Sequence, residues 1–298
     1  VTDRNGQNIT ELLLSADKTA PDPGVLDRRF IGLLENDQTI TVEFDRRIDR
    51  EGAVLVADGW VEYPYSQTVF AAWQAGIKYR SATLEARDRL GIWHEIIREF
   101  GYPAGMPRQM ALPLGALPEG TDAIRLSSNM EIYWDRIQVV YERSMDLRTQ
   151  ITRPSVARIA RTGFSKRTTS GQRIPDYDYS ERSPYWDVKT HKGFYTSLGN
   201  ALPLVEAADG ALAIIGGGEE IHLEFDEVAE TPEGYRRYFV LEFRGWAKDM
   251  DLYTQHGDTV GPLPVPSNMN NNSLVRRDLL HEKYNVRYQE GFWPASGN

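Results

Sequence analysis

The stretch FIGLLENDQTITVEFD (30–45) decides the fold class, because its apolar side chains cluster in two short runs around a polar turn. Apolar and polar residues that alternate with a period of two are typical of a strand with one buried face. The same alternation appears further along the chain in AVLVADGW (53–60), TLEARD (83–88), AIRLSS (123–128) and EIYWDRIQVVY (131–141). Turns rich in Gly and Pro separate these runs. The sequence therefore predicts an all-β protein with two antiparallel β-sandwich, jelly-roll-like units and long ordered loops.

The opening pattern occurs a second time. ALAIIGGGEEIHLEFD (211–226) aligns with residues 30–45, and each copy leads into an apolar run that ends in Gly-Trp, at Trp60 and at Trp246. The two copies are too far apart for a solenoid repeat, so we expect one structural corner built once in each sandwich. A tryptophan at such a strand end is typical of a buried plug whose N–H finds a carbonyl, and a ligand platform is the alternative.

Two local features add detail to the predicted first sandwich: a β-bulge and a short helix. In residues 131–141 the apolar positions Ile132, Trp134, Ile137 and Val139 do not keep one alternation, which predicts a β-bulge near Asp135. The run VFAAWQAG (69–76) is the right length for one or two helical turns. Composition and turn signals then divide the chain into an N-terminal extension (1–29), a first sandwich (30–145), a connector and aromatic loop (146–195), a second sandwich unit (196–266), and a linker and docking tail (267–298).

The composition limits the partners. The net charge of −9 disfavours nucleic acid, because a phosphate backbone is neutralised by clustered Lys and Arg. The chain contains no cysteine, which excludes disulfides, thiol catalysis and cysteine-based zinc sites. No apolar run approaches the roughly 20 residues that span a bilayer, so no transmembrane segment is predicted.

Acidic residues are the candidates for metal binding and catalysis. Asp249 and Asp251 form an Asp-x-Asp turn, which can begin a Ca²⁺ site, although the six to eight oxygen ligands of a full site do not follow. A solvated or Arg-paired turn is the alternative, and no other cofactor is expected. Asp58 and Glu62 flank Trp60, and an acid pair beside aromatic residues suits a glycoside hydrolase. The five histidines are far apart in sequence and show no metal-ligand spacing.

Aromatic clusters are the better functional signal. Tyr63 and Tyr65 stand near Trp60 and Trp73, and a second group follows the connector: Tyr177, Tyr179, Tyr185 and Trp186. Flat rings on loops suit sugars or protein partners, because they contribute contact area with little loss of rotamer freedom. Loops that bury their own aromatic residues are the alternative. The tail adds Phe292 and Trp293 to an apolar segment (274–294) that we expect to dock on its own chain or on a neighbouring chain.

One region resembles a known family. The stretches FYTSLGNALPLVEAADGALAIIGGGEEIHLEFDE (194–227), GYRRYFVLEFRGWAKDMDLYTQHGDTVGPLP (234–264) and HEKYNVRYQ (281–289) carry the resemblance. They are similar to the C-terminal region of large bacterial FG-GAP (VCBS-type) propeller proteins. Many of those proteins also carry an ASPIC/UnbV module related to cartilage acidic protein. The resemblance implies export and a surface-associated location, and it supplies no catalytic residues. This chain differs from those proteins in lacking the propeller and its calcium loops.

Together these features predict a non-enzymatic, extracytoplasmic interaction or scaffolding module that belongs to a larger assembly or binds a protein partner. Carbohydrate binding, with or without glycoside hydrolysis, is the alternative.

Overall fold

A computed structural model describes residues 1–145, 147–184, 190–251, 253–267 and 269–291. The chain is mostly β, with 37% strand and 11% helix, so the predicted all-β class is confirmed. The strands in chain order are β1 Thr2–Asp3, β2 Leu33–Glu43, β3 Ala53–Val61, β4 Ala82–Arg87, β5 Trp93–Gly101, β6 Arg108–Pro113, β7 Ala123–Met130, β8 Ile132–Tyr141, β9 Pro154–Arg161, β10 Phe164–Thr169, β11 Pro175–Ser183, β12 Lys192–Tyr195, β13 Gly199–Asn200, β14 Glu219–Phe225 and β15 Arg287–Glu290. The α-helices are α1 Ser66–Gln74, α2 Leu202–Val205 and α3 Asn271–Tyr284, and a 3₁₀ helix spans Thr10–Leu13.

The chain divides into two compact units. The first comprises Val1–Leu147 and Arg167–Asp176, and the second comprises Arg148–Lys166 and Tyr177–Asn298. Residues Arg167–Asp176 include the tip of the β10–β11 hairpin, so the chain passes between the units more than once. None of the helices in the described part of the chain has the length and apolar character needed to cross a membrane.

The first unit contains two antiparallel sheets with one shared core. A five-stranded sheet has the order β1-β2-β7-β4-β5, and a three-stranded sheet has the order β6-β3-β8. Side chains of both sheets belong to one hydrophobic cluster: Ile40, Leu84 and Leu126 come from the larger sheet, and Leu55 and Ile132 from the smaller. The period-two patterns of the sequence are therefore the inward faces of these strands. The N-terminal extension contributes too, because β1 pairs with β2 and Leu13 is buried in the core.

The predicted bulge is confirmed. Asp58 pairs with Arg136, whereas the next residue, Gly59, pairs with Trp134, so Asp135 is the extra residue on β8. This one-residue insertion lets the apolar positions before and after it point into the same core, as the broken alternation requires. Gly59 is needed at this point because a Cβ there would lie 2.4 Å from the backbone oxygen of Tyr133. The glycine before Trp60 is therefore explained by the close approach of the β8 backbone to β3.

The second unit is built from short sheets. β9 pairs with β13 on one side and with β14 on the other, and β12 pairs with β15. The region expected as a connector and aromatic loop (146–195) thus contains β9, β10, β11 and the start of a further sheet. Buried Ala157 and Ile159 of β9 lie opposite Leu223 and Ile221 of β14, which gives this sheet one apolar face.

The tail docks within its own unit, which is the first of the two alternatives drawn from the sequence. Strand β15 pairs antiparallel with β12, from Lys192↔Glu290 to Tyr195↔Arg287. Helix α3 begins at an Asn270 cap whose side chain accepts a hydrogen bond from the backbone N–H of Ser273 at 2.9 Å. None of the side chains of the helix is buried, so polar contacts such as the Asn270 cap contribute to holding it.

The second copy of the sequence corner differs from the expectation. Residues 236–246 form no strand, and Trp246 is 51% exposed, so the predicted buried plug at Trp246 is wrong. The physical reason is a missing neighbour. Strand β3, which leads to Trp60, lies between β6 and β8, whereas residues 236–246 pair with no strand in the described part of the chain. Without paired strands on either side, Trp246 has no sheet end against which its ring could pack.

Candidate functional site

Helix α1 of the first unit carries an exposed apolar face. Tyr65 directly precedes the helix, Val69 lies one turn into it and Trp73 lies one turn further. A spacing of four residues places the three side chains on one side of the helix. All three are exposed, Trp73 to 69%, whereas Ala72 is the one buried residue of the helix. The helix therefore presents Val69 and Trp73 to solvent, whereas an ordinary surface helix packs its apolar face on the core. We call Tyr65, Val69 and Trp73 the α1 face.

Further aromatic rings border the α1 face. The ring of Phe70 lies 5.7 Å from that of Trp73, and Tyr63 meets Tyr65 edge to face at 6.1 Å. The ring of Tyr102, which directly follows β5, lies 6.4 Å from that of Tyr63. The predicted contact residues Tyr63 and Tyr65 are thus brought together, and they join an aromatic surface that includes the helix. Sequence proximity had suggested this cluster, but only the helix places Val69 and Trp73 in line with Tyr65.

Trp60 does not belong to this surface. It is fully buried and stacks on Tyr133, with ring centroids 5.6 Å apart and planes 9° apart. Its indole Nε1–H donates a hydrogen bond of 2.7 Å to the backbone oxygen of Gln172. Ala20 and Ile174 complete the cover over the two rings. The structure confirms the buried plug predicted for Trp60, including the carbonyl partner of its N–H.

A buried polar cluster lies beside Trp60. The carboxylate of Glu131 is 1% exposed and accepts hydrogen bonds from Tyr133 Oη at 2.7 Å and from Arg173 Nε at 2.8 Å. Burial raises the pKa of Tyr133 well above its ordinary value, and the Glu131 hydrogen bond adds to that effect. Burial also raises the pKa of Glu62, which the nearby Arg173 partly offsets. The buried carboxylate of Glu131 is thus paired with Arg173 and hydrogen-bonded to Tyr133, as a charge inside a fold requires.

Of the two acids that the sequence suggested as a catalytic pair, Asp58 is engaged in structural contacts. Asp58 accepts hydrogen bonds from Arg136 Nε at 2.8 Å and from Gln109 Nε2 at 3.2 Å. Asp135 of the bulge receives the backbone N–H groups of Asp17, Lys18 and Thr19 at 3.1–3.3 Å. A glycoside hydrolase needs one protonated acid and one free carboxylate facing a cleft. Asp58 and Asp135 hold strands and the N-terminal segment in place.

The second aromatic group is only partly within the described residues. Tyr177 and Tyr179 lie on β11, stacked with ring centroids 6.2 Å apart, and Tyr179 is exposed. The guanidinium of Arg182 lies 5.4 Å from the centre of the Tyr179 ring, a cation–π contact. The other predicted contact residues fall outside the described part of the chain: Tyr185, Trp186, Phe292 and Trp293.

The Asp-x-Asp turn is closed by its own hydrogen bonds. Asp251 Oδ1 accepts the backbone N–H of Tyr253 at 2.6 Å, and Oδ2 accepts the hydroxyl of Thr254 at 2.8 Å. These bonds hold the pKa of Asp251 below its ordinary value, the backbone N–H having the largest effect. Among the described residues, Asp249 and Asp251 are not part of any group of three or more acidic or histidine side chains placed to hold a metal ion.

The second unit contains an open cleft of about 550 Å³ between β12, helix α3 and residues 256–263. Its walls combine Phe194, Val260 and Leu263 with the polar side chains of His281 and Asn285. Nε2 of His281 accepts the backbone N–H of Leu212 at 2.9 Å, so this nitrogen carries no proton. Burial lowers the pKa of His281, and the neighbouring Arg277 lowers it further. The cleft is a mixed surface in which the histidine serves as a hydrogen-bond acceptor for the backbone.

Sequence reasoning missed the ion pairs formed by two buried glutamates. Glu131 pairs with Arg173, and Glu219 pairs with Arg287 at 2.7 Å and with Arg161 at 3.4 Å. The sequence gives a signal only for the glutamate of each pair, because a charged residue within or next to an apolar strand pattern requires a partner when it is buried.

No family model, curated protein or solved structure matches the chain.

Proposed function

We propose that this chain is a non-enzymatic, extracytoplasmic interaction module that binds a protein partner through the α1 face. The observation that carries the proposal is the exposed row of Tyr65, Val69 and Trp73 at a spacing of four residues. A soluble surface rarely groups large apolar side chains in this way unless the group is covered by a partner.

The chemistry of the α1 face suits a protein surface. Tryptophan and tyrosine dominate interface energetics, and a few such anchors each contribute about 2 kcal/mol or more when a partner desolvates them. A helix that presents residues i, i+4 and i+8 fits a hydrophobic groove on its partner, a common mode of recognition. Phe70 and Tyr63 on either side extend the area that a partner can cover.

The non-enzymatic part of the proposal rests on the acids of the first unit. Glu131 is enclosed and paired with Arg173, and Asp58 is paired with Arg136, so these carboxylates act in the fold. The extracytoplasmic location rests on the resemblance to exported FG-GAP proteins.

Carbohydrate binding is the second candidate, favoured by the flat rings that the surface exposes. Trp73 and the stacked pair Tyr177 and Tyr179 are the rings that could support a sugar face. This alternative and the protein partner predict the same loss in a Trp73→Ala variant, and they differ in the ligand.

The two candidates are separated by comparing the wild type with Trp73→Ala and Leu90→Ala. Leu90 is an exposed leucine in the β4–β5 turn, so its truncation is a matched control for loss of surface apolar area. Each protein is isolated under native conditions from its own host and sized by native mass spectrometry, and each is applied to a glycan array.

We expect a discrete protein complex with the wild type and Leu90→Ala, and its loss with Trp73→Ala. Glycan binding that depends on Trp73, without a protein complex, would replace the proposal with the carbohydrate alternative. Identical behaviour of all three proteins would contradict both.

A further inference from the structure

Residues 235–246 leave an unusual amount of apolar surface in solvent. Tyr238, Phe239, Val240, Leu241 and Phe243 are between 68% and 91% exposed. The run alternates: Phe239, Leu241 and Phe243 lie on one side of an extended chain, and Tyr238, Val240 and Glu242 on the other. An alternating run of this kind, rich in aromatic and aliphatic residues, is typical of a strand sequence.

A neighbour with a free edge directly precedes it. In the described part of the chain, β14 pairs with β9 on one side and with no strand on the other. The apolar side of β14 consists of Ile221, Leu223 and Phe225, of which Leu223 and Phe225 are 37% and 44% exposed. Unpaired edges of this kind recruit further strands, because their N–H and C=O groups lack sheet partners.

We propose that residues 239–245 form a strap that closes onto the free edge of β14 as an antiparallel strand, so that the structure records the open state. The proposed register places Phe239 opposite Phe225, Leu241 opposite Leu223 and Phe243 opposite Ile221. The strap then continues the apolar face that Ala157 and Ile159 begin on β9. This inference is independent of the function proposed for the α1 face.

The charges on the opposite side agree with this register. It sets Arg244 opposite Glu220, Glu242 opposite His222 and Val240 opposite Glu224, so no two acidic side chains face each other. If residues 239–245 were shifted by two positions along β14, Glu242 would lie directly opposite Glu220. Like charges in facing positions destabilise a sheet. A slip by one residue would turn the apolar side of the strap away from that of β14.

The residues that connect β14 to the strap (226–238) reverse the chain direction at a turn. The backbone N–H of Tyr235 donates to the oxygen of Pro232 at 3.1 Å, which closes a β-turn, and Gly234 supplies the positive φ of 80° that the turn needs. Beyond the turn the side chain of Arg237 donates to the backbone oxygen of Ala229, so the two arms of the link lie side by side. A short link also gives the strap a millimolar effective concentration at β14, which favours its own chain over a second copy at micromolar protein.

Cysteine pairs test the strap, and the chain has no native cysteine to interfere. The test variant combines Leu223→Cys with Leu241→Cys, which the proposed register places directly opposite on one side. The control combines His222→Cys with the same Leu241→Cys, which places the two thiols on opposite sides of the sheet. Disulfide formation is followed in a redox buffer by mass spectrometry, at several protein concentrations.

We expect the Leu223/Leu241 pair to form an intramolecular disulfide about tenfold faster or more than the His222/Leu241 pair, because only facing thiols meet the geometric limits of the bond. Equal rates would show a flexible link and overturn the proposal. Disulfides only between molecules would overturn it in favour of a second copy.

Hydrogen exchange of the wild-type chain gives a second reading that needs no variant. We expect backbone amides within residues 239–245 to exchange at least about tenfold more slowly than an unstructured chain. Exchange at the unstructured rate throughout the segment would overturn the proposal.

Discussion

Replacement of Trp60 by alanine is expected to destabilise the first unit by about 4 kcal/mol. A fully buried tryptophan removes roughly 150–250 Å² from water, equivalent to about 4–6 kcal/mol at 25 cal/mol per Å². That figure is an upper bound, and measured Trp-to-Ala truncations in cores cost about 3–5 kcal/mol. The stack on Tyr133 and the hydrogen bond to Gln172 are lost in the same variant. The loss is a large fraction of the roughly 5–15 kcal/mol that stabilises a domain.

Urea denaturation combined with hydrogen exchange of β3 and β8 measures this loss in the full chain, because exchange reports the stability of these strands separately from the second unit. Trp60→Phe is an informative companion: it keeps a buried ring but leaves the Gln172 carbonyl without its donor, which costs about 1–2 kcal/mol. Trp73→Ala is the matched control, since truncation of an exposed side chain stays within about 0.5 kcal/mol of wild type. Wild-type unfolding of Trp60→Ala, or equal destabilisation of Trp73→Ala, would contradict a core role specific to Trp60.

Three further predictions concern the second unit. Arg287→Ala should cost about 3 kcal/mol, because it leaves the 1%-exposed carboxylate of Glu219 with a weaker partner; urea unfolding would measure this, and a wild-type midpoint would contradict it. The lowered pKa of His281 means that the unfolded state binds its proton more readily, so stability should fall as pH drops below 6.5 and level off below the folded-state pKa. His281→Gln, which keeps an acceptor for the Leu212 N–H, should reduce that slope, and an unchanged pH profile would exclude the assignment. Chelator should leave the melting temperature unchanged, since Asp251 is engaged by its own turn; a drop reversed by Ca²⁺ would establish a metal site there.

The first unit could be predicted from the sequence because its signals are local. Period-two alternation places β3, β4, β7 and β8 within a few residues of their observed bounds. The broken alternation of residues 131–141 was enough to predict the bulge at Asp135, since only an inserted residue restores one buried face. The burial of Trp60 followed from its position at the end of such a strand.

The remaining features depend on contacts between residues far apart in sequence. The run leading to Trp246 has the same local pattern as that leading to Trp60, yet only the latter lies between two strands. No local signal distinguishes them, because strand pairing is decided by partners elsewhere in the chain. The same holds for the pairing of β15 with β12 and for the ion pair of Arg173 with Glu131. The apolar tail predicted docking but could not name its partner strand.

Crosslinking from within the α1 face shows directly whether a protein partner covers it. A photo-activated phenylalanine analogue is placed at position 73 and, in a separate protein, at position 90, and both are illuminated in living host cells. We expect one dominant protein adduct from position 73, formed through the helix face beside Val69, and none of that mass from position 90. The same adducts from both positions, or none from position 73 in a folded and abundant protein, would contradict it.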